Sequence, residues 1–242
     1  MVVSVLVPII IQQSGHHLPQ LMWTTTSKSS NATDEHVDAL YEIVSFMDTF
    51  FQKHEIEYWL ICGSLIGALR NNPPGPIKWD DDVDVAMFKS DQPKLQLAME
   101  TDPEFVNTID FVKAGFGYQL RLKSRVNETK DFYYDIFVYE YRDGVYGKKW
   151  YTNVFPEHYY DTIHEILPTR LCKFWDLYLP GPNSLETARR GYAEDVLTFA
   201  RKYNHHEPLS HDDDAINVHD HVNDGDTIPM LSKNLIRKLT FS

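Results

Sequence analysis

The chain has 242 residues, 43% hydrophobic and 24% charged, and its 35 acidic against 23 basic residues give a formal charge of −12. That composition belongs to a folded chain, not a disordered one. So acidic a balance excludes unspecific binding to nucleic acid or to an anionic membrane face, since both need clustered Lys and Arg.

Val2 to Ile11 is apolar and uncharged, too short for a bilayer span of about 20 residues. It is like the core of a signal peptide, but no basic residue precedes it and Pro8 interrupts it. A polar run from Thr24 to Glu35 reads as linker, so 1–33 is taken as an apolar segment plus linker. Asn31-Ala32-Thr33 and Asn127-Glu128-Thr129 match the N-glycosylation pattern. The compartment stays open between the secretory pathway (ER or Golgi lumen) and the cytoplasm. From Asp34, apolar Val37, Leu40, Tyr41, Val44, Met47, Phe50 and Phe51 recur at helical steps, with Thr33 or Asp34 as cap. Tyr58 to Cys62 reads as a buried strand ended by Gly63-Ser64, and Leu65 to Arg70 as a short helix. Asn71 to Pro76 is loop, and Asp82 to Phe88 alternates as a second strand. Val83 and Val85 then share one face, Asp82 and Asp84 the other. Tyr118 to Leu122 and Phe132 to Tyr141 read as further strands. After Pro168 comes an extended segment with a turn, then a helix over Ser184 to Tyr203 with Leu185, Ala188, Tyr192 and Val196 on one side. This order predicts an α/β or α+β domain of about 170 residues over 34–203, a mixed sheet flanked by helices. Residues 204–242 form an acidic, His-rich tail, read as solvated; binding of a divalent metal is its alternative. Cys62 and Cys172 are the only cysteines, which excludes a disulfide framework and a cysteine-rich zinc module. They read as two buried free thiols, one disulfide being the alternative.

The chemistry concentrates between Trp59 and Met87. Asp80, Asp81, Asp82 and Asp84 repel one another, and clustering them costs stability unless cations or hydrogen bonds compensate. Strand geometry lets Asp82 and Asp84 reach one hard cation, and oxygen ligands of this kind suit Mg²⁺ or Mn²⁺ with bound phosphates. Asp135, an acid among apolar neighbours, is the candidate for a third carboxylate from a neighbouring strand. Gly63-Ser64, at a strand-to-helix junction, has the form of a phosphate cradle. Arg70, Arg121 and Lys123 are candidates for donor phosphates. Trp79, Phe174 and Trp175 read as core rather than as base-stacking platforms. A hydroxyl–glycine turn, an Asp-x-Asp strand and a later Asp make a metal-assisted phosphoryl-transfer site.

The run GSLIGALR…IKWDDDVDVAM resembles the signature of the LicD/fukutin-type family of the nucleotidyltransferase superfamily. GYQLRL (Gly117 to Leu122), YYDIFVYE (Tyr133 to Glu140) and the stretch Leu167 to Asp195 add weaker matches in the expected order, so the resemblance covers about residues 35–203. It implies a nucleotidyltransferase-like fold and transfer of a phospho-alcohol, such as phosphocholine or ribitol phosphate, from a CDP-linked donor onto a glycan hydroxyl. It further implies Asp82, Asp84 and Asp135 as catalytic acids, and the same three with Asp80 as metal ligands. Gly63, Ser64 and Arg70 match family positions for substrate binding. The sequence departs from the family pattern at Lys78, where a proline usually adjoins the tryptophan, and in the inserted Asn72 to Pro76. An Asp-x-Asp glycosyltransferase using a sugar nucleotide, and a catalytically silent binding module, are the alternatives.

Overall fold

The computed structural model describes residues 34–77, 80–126, 132–192, 194–201 and 215–217. The segment 1–33, both Asn-x-Thr tripeptides, Lys78, Trp79 and nearly all of the tail over 204–242 lie outside the described residues. Helix α1 (Asp34–Lys53) buries Ala39, Leu40, Ile43, Val44, Met47, Phe50 and Phe51, a stripe at three- and four-residue spacing. Strand β1 (Tyr58–Leu60), helix α2 (Cys62–Arg70) and strand β2 (Asp82–Phe88) follow. Next come α3 (Gln92–Thr101), α4 (Pro103–Thr108), β3 (Ile109–Ala114), β4 (Gly117–Leu122), β5 (Tyr133–Gly144) and β6 (Gly147–Tyr151). The chain continues through α5 (Ile163–Ile166), β7 (Arg170–Phe174), β8 (Leu177–Gly181), α6 (Glu186–Gly191), β9 (Phe199–Arg201) and β10 (Ala215–Asn217).

The main sheet runs β1-β2-β5-β4-β3, with β6 hydrogen-bonded to the outer half of β5. It is mixed: β2 and β5 are parallel, while every other pairing in it is antiparallel. Parallel neighbours need a long crossover, here supplied by everything from α3 to β4. Alternation gives each strand two faces. One face, carrying Leu60, Val83, Val85, Tyr118, Leu120, Tyr134 and Ile136, packs under α1, α3 and α4. The opposite face carries an aromatic cluster of Trp59, Phe88, Phe137, Tyr139 and Tyr160 at one end. At its other end it carries the acids. The expected separation of Val83 and Val85 from Asp82 and Asp84 is therefore observed.

Two sequence expectations are corrected. The helix expected over Ser184 to Tyr203 stops at Gly191, and Phe199–Arg201 is a strand paired with β10. Ser184 Oγ does accept from the Glu186 N–H at 3.3 Å, so the start was legible. Gly191 ends the helix: glycine is a poor helix former, and here its Cα lies so close to the His158 imidazole that no side chain fits. The strand expected to reach Cys62 ends at Leu60 instead. The chain turns at Cys62, whose φ of 49° is left-handed, and Gly63 and Ser64 already sit in the first turn of α2. The elements α3, α4, β3, β6 and α5 had no expectation. The extended segment after Pro168 resolves into the β7–β8 hairpin. Both cysteines are free and buried, as expected.

Candidate active site

Parallel pairing of β2 with β5 sets Asp84 directly beside Asp135, with Asp82 two residues earlier on the same face. Ligand oxygens of Asp82, Asp84 and Asp135 all lie within 4.8 Å of one another. Asp82 and Asp84 are partly buried; Asp135 is 7% exposed. Burial pushes the Asp135 carboxyl up to about 7, while a Gln119 hydrogen bond pulls it back. Burial, then the neighbouring carboxylates, drives Asp82 and Asp84 well above the usual carboxylate range.

This triad fits a divalent cation on its own chemistry. Its donors are carboxylate oxygens, the ligand type that hard cations prefer. Asp135 Oδ1 is buried and has no hydrogen-bond partner among the described residues. A buried acceptor left unmatched costs free energy that a cation would return.

Asp80 stands just outside the triad. Its Oδ2 lies over the Cα of Gly63, where any side chain would collide with it. Burial first and the Asp81 charge second raise the Asp80 carboxyl to about 7, against the opposing pull of Arg70. Gly63 thus lets the acid loop lie on the first turn of α2. A helix start leaves its first N–H groups without partners inside the helix, and α2 carries no acid in that turn. The turn therefore presents donors and a positive dipole end beside the carboxylates.

The remaining expected residues are less uniform in placement. Ser64 is 2% exposed, and its Oγ accepts the Asp84 backbone N–H at 2.8 Å. Arg70 is buried in the last turn of α2 and donates to the Val196 carbonyl at 3.0 Å. Arg121 lies on the acid face of β4, two residues beyond Gln119, and pairs with Asp110 at 3.0 Å. Lys123 donates to the Val106 carbonyl. Phe174 is buried, and Trp175 packs edge-on to Tyr41 at 5.5 Å and against Gly75, as core residues do.

Sequence reasoning missed Gln119 and His158. Gln119 is register partner to Asp135 and donates to its Oδ2 at 3.5 Å. Alternation in GYQLRL places Gln119 on the polar face, but only strand order shows which acid it meets. His158 Nδ1 lies 3.3 Å from Cys62 Sγ, an interaction spanning 96 residues that no local pattern could reveal. Burial lowers His158 and raises Cys62, so both are neutral near pH 7 and the thiol is no nucleophile as it stands.

A family model described as LicD/FKTN/FKRP, nucleotidyltransferase domain, matches residues 55–184, more than half of the chain. An uncharacterized protein of Rickettsia prowazekii (strain Madrid E) is 29% identical over 163 residues, covering 64% of this chain and 54% of that protein. An uncharacterized protein of Rickettsia typhi (strain ATCC VR-144 / Wilmington) is 24% identical over 157 residues, 64% of this chain and 46% of that protein. The chain thus spans about half the length of the curated relatives it matches. Among solved structures, the lincomycin-bound lincosamide antibiotic adenylyltransferase LnuA aligns with a TM-score of 0.39 at 15% identity, covering 68% of this chain and 89% of that one. At that score the likeness adds nothing to the family match.

Proposed function

The chain belongs to the LicD/FKTN/FKRP nucleotidyltransferase family, and from that premise we propose that it is a divalent-metal-dependent transferase acting on a CDP-linked phospho-alcohol. Its acceptor is a glycan hydroxyl. The observation that carries the reading is the carboxylate triad of Asp82, Asp84 and Asp135, set beside the N-terminus of α2.

Asp82, Asp84 and Asp135 would hold Mg²⁺ or Mn²⁺, with Asp80 alongside; the ion would neutralise the diphosphate of the donor. The N–H groups around Gly63 receive phosphate oxygens, and the glycine lets them approach. Asp135 orients the acceptor hydroxyl and takes its proton. The acceptor oxygen forms a bond to the phosphorus that carries the alcohol, the bond from that phosphorus to the bridging oxygen breaks, and CMP leaves with the electron pair. Arg121 lies on the same face and can exchange Asp110 for a donor phosphate. Arg70 acts through Asp80, whose ionised form it favours. Positioning and charge neutralisation supply most of the rate in such transfers.

Calorimetry with CDP-ribitol, CDP-choline, CDP-glycerol and a UDP-sugar, with and without Mg²⁺ or Mn²⁺, tests the reading. The expected result is metal-dependent binding of one CDP compound, lost in Asp84→Asn. Binding of the UDP-sugar alone would establish the glycosyltransferase instead. Binding without turnover over a panel of acceptors would make the chain a silent binding module.

A further inference from the structure

We infer that Ser64 is a positioning residue for Asp84, rather than a direct ligand of donor phosphate; this rests on the metal-site reading above. The argument begins with the strand ladder. β1 and β2 pair antiparallel with Tyr58 opposite Met87, Trp59 opposite Ala86 and Leu60 opposite Val85. The next rung joins Ile61 to Asp84. Half of it forms: the Ile61 N–H donates to the Asp84 carbonyl at 3.2 Å. In a regular antiparallel rung the Asp84 N–H would donate back to the Ile61 carbonyl. That carbonyl is already engaged, because it accepts the Leu65 N–H at 2.9 Å as the first bond of α2. The chain has left the sheet for the helix at this residue, through the left-handed Cys62.

The Asp84 N–H would therefore be stranded without a partner in a partly buried place, which costs free energy. Ser64 Oγ fills the gap at 2.8 Å, standing in for the strand carbonyl. The hydroxyl is 2% exposed, enclosed between α2 and β2. Both backbone polar groups of Asp84 are thus held from the α2 side, one by Ile61 and one by Ser64. Its carboxylate leaves a peptide that cannot tilt without breaking one of these bonds. The serine acts on the metal site by fixing the backbone of a ligand.

The test compares full-length wild type, Ser64→Ala and Ser64→Thr, with Mn²⁺ and CDP as probes and amide hydrogen exchange as a readout independent of both. In Ser64→Ala, Mn²⁺ affinity is expected to fall about tenfold, the effect of one lost buried hydrogen bond. CDP affinity at saturating Mn²⁺ should stay within about twofold of wild type, since every other donor-facing group is retained. Exchange of the Asp84 amide should accelerate about tenfold, while the amides of Val85 and Met87 keep their protection. Ser64→Thr retains the hydroxyl and should restore both readouts. Unchanged Mn²⁺ affinity, or a fall in CDP affinity at saturating Mn²⁺, overturns the inference. Should wild type bind no Mn²⁺, the metal reading fails by itself, and the Asp84 amide still decides whether Ser64 holds that peptide. If Ser64→Ala does not fold, Ser64→Cys, near in size and a weak acceptor, takes its place with the same expectations and the same overturning results.

Discussion

Asp135 shows what the site demands of one residue. It is 7% exposed, its Oδ1 lacks a partner among the described residues, and burial raises it to about 7. A carboxyl raised in the folded state favours folding below its unfolded value near 4, and that contribution is lost as pH rises through about 7. Metal-free protein therefore carries a penalty that is large at pH 8, smaller at pH 5 and gone only below about pH 4. Asp135→Asn should raise the melting temperature of metal-free protein by about 2–4 °C at pH 8, equivalent to ~1 kcal/mol, and by clearly less at pH 5. The same variant should lose Mg²⁺-dependent stabilisation altogether; thermal melts at both pH values, with and without Mg²⁺, check both halves. A variant that is less stable at pH 8 without metal would show that Asp135 is held by interactions of its own. Such a gain in stability with loss of function is the usual cost of a site built from like charges.

At the scale of elements, the site depends on how α1 and α4 are locked behind the sheet. Asp102 caps α4 through the N–H groups of Glu104 and Phe105, and its carboxylate also meets Lys53 and His54 from the end of α1. The Lys53 and His54 hydrogen bonds hold Asp102 well below the usual carboxylate range. Asp102→Ala should cost about 1–2 kcal/mol through the lost cap, lowering the melting temperature by roughly 2–8 °C at neutral pH. Because the carboxyl is depressed in the folded state, its contribution is present above about pH 4 and lost as pH falls below that. The gap between variant and wild type should accordingly narrow below about pH 4; the gap for Asp135→Asn also narrows in acid, but there the variant is the more stable protein and here it is the less stable one. A gap that widens in acid would show that the ion pairs contribute nothing. The short α6 makes a related point. Periodicity over Leu185, Ala188, Tyr192 and Val196 suggested a long helix, and Ala188 and Val196 are indeed buried. The same apolar spacing is met by a short helix followed by turns, since Gly191 must lie flat against His158. Apolar spacing reports burial, and it cannot distinguish a helix from a folded-back segment when a glycine interrupts it.

At the scale of the whole molecule, one sheet does two jobs. Its helix-covered face supplies the main core, and its other face divides between an aromatic cluster and the acids. The acids are thereby fixed on a rigid support, as a preorganised site requires. Among the described residues no helix is long and apolar enough to cross a membrane. Ligand binding to the folded state alone stabilises the whole domain: at a hundred times Kd the gain is about 2.7 kcal/mol, or roughly 5–10 °C here. Mg²⁺ should give that increase at pH 8 and much less at pH 5, where protons compete for the raised carboxyls; calorimetric scans at the two pH values decide it. Equal stabilisation at both would place the ion elsewhere. The sequence by itself determined α1, the acid strand, the faces of Asp82 and Asp84, and the family, because each rests on spacing within a short stretch. It also singled out Asp135, since an acid among Tyr133, Ile136 and Phe137 is costly without a purpose. Only the tertiary structure decided that β2 and β5 are parallel neighbours in register, which turns two separate motifs into one triad. It alone joined Gln119 to Asp135, His158 to Cys62 and Ser64 to the Asp84 amide. Strand order and the point where a chain leaves a sheet are set by packing between distant segments, and spacing along the chain does not encode them.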